Sequence, residues 1–122
     1  MGFKQYNPLV QKRWDEHLRL CKGKTGTVGV VALDNNGNIV AGTSTGGIGG
    51  EIPGRVSDSP TIAGNYANKF AGISATGIGE QIVNAGAAVK IATRVEDGMD
   101  LNSAVNKTIH DAKELNYELG VI

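Results

Sequence analysis

The chain has no excess of charge of either sign. Its 12 Lys and Arg side chains cancel its 12 Asp and Glu over 122 residues, and no long run of one sign occurs. Nucleic acid and anionic membranes are held by a concentrated basic face, so neither is expected as a partner. Cysteine is almost absent: Cys21 stands alone, an internal disulfide is excluded, and nothing calls for an oxidising compartment. No apolar run approaches the ~20 residues of a membrane-spanning helix, and residues 1–14 are too polar to read as a signal peptide. The expected location is therefore the cytoplasm. Metal-ligand spacing is missing as well, since His17 and His110 belong to no motif and read as solvated helix residues, so no metal and no cofactor is expected. The run Gly46-Gly-Ile-Gly-Gly50 lacks the Lys-Ser/Thr that completes a phosphate loop, which argues against a nucleotide.

What the sequence does have is glycine, 18 residues of it, against a usual share of about 7%. Most lie between Gly23 and Gly86, interleaved with Thr, Ser, Val and Ile rather than gathered into a linker. In an ordered region such spacing marks places where backbone approaches backbone or ligand closely.

Local patterns then divide the chain. Asn7 and Pro8 open an amphipathic helix that Gly23 stops. Residues 27–34 are β-branched and apolar on both faces, which predicts a central strand. Asn36-Gly37 favours a tight hairpin turn, and residues 39–45 return antiparallel. A loop follows over 46–67, then a strand over 71–76. One helix is predicted from Glu80 to about Asp97, broken by Gly98, and Asp100 caps a second, in which Leu101, Ala104, Val105, Ile109, Ala112 and Leu115 share a face. Residues 119–122 read as the start of another strand. The order predicts an α+β fold, an antiparallel sheet with helices on one face. Both faces of the first strand are apolar (Val28, Val30 and Ala32 on one, Val31 and Leu33 on the other), so a second covering layer is expected.

Several segments carry a more specific signal. Thr27-Val-Gly-Val-Val-Ala-Leu-Asp34 with its Asn-Asn-Gly-Asn38 turn, Gly42-Thr-Ser-Thr-Gly-Gly47, Pro53-Gly-Arg-Val-Ser-Asp-Ser-Pro60 and Ser74-Ala-Thr-Gly-Ile-Gly-Glu80 follow one another in order. Together they resemble the nucleophile-bearing half of the plant-type asparaginases, a family that includes isoaspartyl aminopeptidases. The resemblance covers roughly residues 25–118. It implies an N-terminal nucleophile hydrolase, half of a four-layer αββα sandwich, with residues 1–24 resembling the end of the α subunit and 25–122 a partial β-subunit-like catalytic domain. Two positions depart from the usual pattern. Gly26 stands where many members carry aspartate, and Ile78 replaces a histidine.

The chemistry that the resemblance implies is physically coherent. A hydroxyl is a poor nucleophile without a base beside it. An N-terminal threonine carries its own base, an α-amino group with a pKa of about 8, but only after the bond from Gly26 to Thr27 is cut. The family assigns Thr45 a hydrogen bond that orients Thr27, and assigns Thr76 and Gly77 the oxyanion hole and a substrate contact; Thr43 is left as a structural residue. Arg55 and Asp58 would take the α-carboxylate and α-amino group of an aspartyl substrate; alternatively they pair with each other. The implied substrate is a small molecule, L-asparagine or a β-aspartyl peptide. The implied partner is a second copy or a separate α-subunit-like chain. A non-catalytic fragment or assembly protein that keeps the fold, or a small-ligand binding module, remains open at this level.

Overall fold

The computed structural model describes Lys12, Asp15, Glu16, residues 26–49 and residues 51–122. The expected Asn7–Pro8 helix start, His17, Cys21 and Gly23 lie outside the described residues. The chain forms two compact units, one of Met1–Gly26 with Gly46–Arg55 and the other of Thr27–Thr45 with Val56–Ile122.

The second unit carries the regular architecture. Strands β1 (Thr27–Leu33) and β2 (Ile39–Thr45) form an antiparallel hairpin with Thr27 opposite Thr45 and Leu33 opposite Ile39. The turn holds itself. The Asp34 carboxylate accepts the Asn36 and Asn38 amides at 2.8 Å each and the Asn38 side-chain amide at 2.7 Å. Gly37 supplies the positive φ, 85°, that the tight turn needs. A second sheet has the order β3 (Asn65–Ala67), β4 (Gly72–Gly77), β5 (Leu119–Val121), antiparallel throughout. Helices α1 (Gly79–Ala85), α2 (Ala87–Glu96) and α3 (Leu101–Glu114) complete the unit.

The pleat of β4 explains the layering, because alternate residues face opposite sides of a strand. Ile73 packs with Ala71, Ala88, Ile91, Ala92 and Ala104, and Ala75 with Ile82, Ala85 and Ala87, so this face meets the helices. Gly72 and Ser74 face the other way, onto the hairpin. A Cβ at Gly72 would lie 2.8 Å from Ile39 Cγ2 and 2.9 Å from Val31 Cγ1, closer than a side chain permits. The expected single sheet with β1 at its centre is thus corrected. The hairpin is a sheet of its own, laid on the face opposite the helices, and the small residues of β4 let it approach. The α+β class with antiparallel strands and helices against one face holds. On the outer face of the hairpin Val28 is 70% exposed, and Val30 and Val40 are each 57% exposed.

Two further boundaries differ from the sequence reading. The last residues of the expected 46–67 loop form β3, which is short enough to lack any periodic signal. The single helix from Glu80 to Asp97 is two helices, because Gly86 sits in the left-handed region at φ 58° and caps α1 with its N–H. Two free donors of the first α2 turn are satisfied from outside. Ala88 N–H donates to the Ala63 carbonyl at 2.8 Å and Val89 N–H to that of Ile62 at 3.0 Å. The buried apolar side chains are all alanine or isoleucine among the described residues, so the helices lie close to the sheet.

Asp100 caps α3 as expected, its Oδ1 accepting the Ser103 amide at 3.1 Å. Asn116, at φ 57°, closes the other end, with the Tyr117 amide donating back to the Ala112 carbonyl at 2.9 Å. Arg94 ties α2 to α3, donating to buried Thr108 Oγ1 and to Asp111 Oδ2 at 2.7 Å each.

These bonds have a pH consequence. Hydrogen bonding from Arg94 holds the Asp111 carboxyl below the usual carboxylate range. The Ser103 contact does the same for Asp100, and the Asn38 contacts for Asp34. Below the unfolded value of about 3.9 the unfolded chain binds protons that the folded chain still refuses. Their stabilisation is therefore complete above that value and is lost as pH falls through the lower folded values. Urea midpoints are expected to be similar at pH 5 and 7 with respect to these groups and to drop below pH ~4. Asp111→Asn should reduce that drop; an unchanged acid limb would show that the Arg94 contact is not what depresses Asp111.

Candidate active site

Thr27 begins β1, and its position there follows from strand chemistry, since a β-branched residue fits a pleated edge. Its Oγ1 donates to Thr45 Oγ1 at 3.2 Å, directly across the ladder. That distance is long for a pair of hydroxyls, so the bond is too weak to polarise Thr27 strongly. In the uncut chain the Thr27 nitrogen is an amide and offers no base.

A cleft of about 330 Å³ opens beside it, lined by Thr27, Gly29, Ser74, Ala75, Thr76 and residues 120–122. Thr76 is exposed near the end of β4, opposite Gly120. Gly77 follows at φ 137°, and a Cβ there would run into the Glu118 carbonyl. Only glycine allows β5 to close on β4 at this point. Below it Ile78 N–H donates to the same Glu118 carbonyl at 3.1 Å, and the Glu118 amide donates to Gln81 Oε1 at 2.7 Å. The tip of β4 is thereby fixed to α1 and β5.

Asp58 is buried, 6% exposed. Its Oδ1 accepts the Ser57 hydroxyl at 2.8 Å, and its carbonyl accepts the Thr61 hydroxyl at 2.6 Å and the Thr61 amide at 2.8 Å. Gly64 closes this turn: a Cβ there would come within 2.5 Å of the Asp58 carbonyl oxygen and 2.6 Å of its Oδ2.

Arg55 belongs to the first unit. Its Nη1 donates to Glu51 Oε1 at 2.7 Å, with side-chain exposures of 14% and 27%. The Ile48 amide donates to the same Glu51 oxygen at 2.8 Å, so the carboxylate is seated in the glycine-rich loop. Glu51 was not singled out by sequence reasoning, and its signal was only the i, i+4 spacing from Arg55.

The structure thus brings Thr27 and Thr76 to one cleft within the second unit, with Thr45 bonded to Thr27. Sequence reasoning missed Ser74 and Gly29 as lining residues. The signal for Gly29 was a glycine inside a strand; Ser74 stood in a motif without drawing notice. Among the described residues, no group of three or more His, Cys, Asp or Glu is placed to hold a metal ion, and no helix is long and apolar enough to cross a membrane.

Residues 4–122 match the sequence profile of the family described as Asparaginase. The chain belongs to the asparaginase family. Among its relatives, the isoaspartyl peptidase/L-asparaginase of Synechocystis sp. is 56% identical over 101 residues, covering 83% of this chain and 31% of that protein. A plant-type L-asparaginase of Pyrococcus horikoshii is 40% identical over 132 residues, covering 89% of this chain and 43% of the relative. The isoaspartyl peptidase of Escherichia coli is 47% identical over 91 residues, covering 72% of this chain and 28% of the relative. The chain spans less than half the length of each of these asparaginase-family relatives.

Proposed function

We propose that this chain is the nucleophile-bearing part of a threonine-dependent amidohydrolase that acts on L-asparagine or β-aspartyl peptides. The observation that carries the reading is the shared cleft. Thr27, held by Thr45, and Thr76, from the other sheet, line it together.

Activation is an internal acyl shift. The Thr27 hydroxyl attacks the Gly26 carbonyl carbon, its proton passes to the departing nitrogen, and an ester replaces the peptide bond. Water hydrolyses that ester and leaves Thr27 with a free α-amine. The amine then takes the hydroxyl proton as Thr27 attacks the side-chain amide carbon of the substrate. Thr76 and Gly77 stabilise the oxyanion as the tetrahedral centre forms. Ammonia, or the amine of a β-aspartyl peptide, leaves; water then releases aspartate from the acyl-enzyme.

Arg55 takes the α-carboxylate of the substrate and Asp58 its ammonium. A guanidinium matches a carboxylate in a planar, two-point contact, and a buried carboxylate gains most from a cation when water is excluded. The exposed Val28, Val30 and Val40 support a further covering layer over the hairpin, completing an αββα sandwich from a second copy or a separate α-subunit-like chain. A cytoplasmic location goes with this reading.

The test is a mass spectrum of the purified protein with an ammonia-release assay on L-asparagine. A fragment starting at Thr27, together with ammonia above the no-enzyme background, is expected. An intact chain after prolonged incubation at neutral pH, with no ammonia released, would sink the reading in favour of a non-catalytic protein that keeps the fold. Amino-acid binding without turnover would point to a binding module.

A further inference from the structure

Thr27 and Thr76 belong to different sheets. Backbone ladders fix distances within each sheet, but the width of the cleft is a distance between layers. Packed sheets normally stand about 10 Å apart, a spacing set by the side chains between them. Next to the cleft those side chains are small. Gly29 lies opposite Thr43 in the hairpin, and a Cβ at Gly29 would come within 2.5 Å of Ser74 Oγ and 2.9 Å of Ser74 Cβ. Ser74 therefore presses on both hairpin strands, one pleat inward from Thr27 and Thr45.

The directional contact at this level is a pair of hydroxyls. Thr43 Oγ1 lies 2.6 Å from Ser74 Oγ and also donates to Asn65 Oδ1 at 3.3 Å. The 2.6 Å contact is much the shorter of the two, and either hydroxyl can be its donor. Together the two bonds link β4, β2 and β3. Farther along, Val31 and Ile39 meet Gly72 through apolar contact, which resists separation of the layers but not sliding.

We propose that Thr43 and Ser74 are positioning residues whose paired hydroxyls lock the hairpin to the β3–β4–β5 sheet and so set the distance from Thr27 to Thr76. The inference rests on the reading of Thr27 as nucleophile and of Thr76 as a stabiliser of the developing charge. A nucleophile reacts fast only when held about 3–3.5 Å from its target carbon, and a displacement of ~1 Å can cost about 100-fold. Here that displacement would come from slippage between layers.

Thr43→Val keeps the side-chain shape and removes the hydroxyl, and Thr43→Ser keeps the hydroxyl. In the purified protein with labelled Thr and Ile methyl groups, Thr43→Val should move the signals of Thr27 and Thr76. Those of Ile82 and Ile91, in the helix-facing clusters, should stay in place. Thr43→Ser should leave all of them near wild type. In the L-asparagine assay Thr43→Val should lower kcat about 10- to 100-fold with KM within about threefold, and Thr43→Ser should restore kcat to within about threefold. Unmoved Thr27 and Thr76 signals in folded Thr43→Val overturn the proposal, and so does an unchanged kcat. If Thr43→Val does not fold, Ser74→Ala is read by the same measurements with the same outcomes. The methyl signals need no turnover, so an inactive wild-type protein would sink the amidohydrolase reading while leaving the lock to be judged by them alone.

Discussion

Thr27→Ala is expected to leave the Gly26–Thr27 bond intact and to abolish ammonia release from L-asparagine, a loss of at least about 1,000-fold. Removing the nucleophile of a hydrolase costs that much or more because the remaining groups only bind and polarise. In the proposed mechanism a single side chain performs both reactions, so cleavage and turnover should vanish together. Thr27→Ser, which retains the hydroxyl, should still be cut, more slowly. Stability should change little. Thr27 is half-buried, and its bond to Thr45 is long and exposed, so its loss is worth no more than about 1 kcal/mol. An alanine variant that is still cut after Gly26, or that turns over like the wild type, would remove Thr27 from the mechanism.

The largest effect on stability is expected from Ile91→Ala, a loss of about 2–5 kcal/mol. Ile91 is fully buried on α2 and packs among Ala71, Ile73, Ala88, Ala92 and Ala104. Four of its five buried neighbours are alanines, which have no rotamers with which to fill a void. Ile73 and the partly buried Tyr66, Met99 and Val105 packed against the cluster can lean into part of it, which places the loss in the middle of that range. Urea unfolding would measure it. A shift of less than about 1 kcal/mol would show that the helix–sheet contact is not the core of this unit.

Much of this architecture was readable from local pattern. Of the face expected on α3, Ala104 and Ala112 are buried, but Leu101 and Leu115 at its ends are 53% and 59% exposed. The Asn-Gly hairpin, the Asp100 cap and the strand at 119–121 each depend on residues a few positions apart. Such signals survive in a single sequence. The break at Gly86 did not, since a glycine within an alanine-rich helical stretch reads as tolerable. Ala63 and Ile62, more than 20 positions away, supply the carbonyls that start α2 there. β3 escaped because Asn65–Ala67 is too short to show a period.

The site divides along the same line. Thr27, Thr45, Arg55, Asp58, Thr76 and Gly77 were nominated from ordered motifs, and the asparaginase-family membership of the chain agrees with those motifs. Which residue sits beside which was not in the motifs. Glu51 as the partner of Arg55, and Gly64 packed against Asp58, are contacts of loops whose paths no periodicity encodes.

The sequence by itself determined the family, the α+β class, the hairpin and the threonines worth testing, because those rest on residue types and spacings along the chain. Only the tertiary structure decided that the hairpin forms a separate layer, that Thr27 and Thr76 face one cleft, and that Thr43 and Ser74 join the layers beside it. The reason is physical. An apolar strand is equally content beside another strand or on top of one. The choice was made by the missing side chains of Gly29 and Gly72, which leave room for the hairpin to lie over β4.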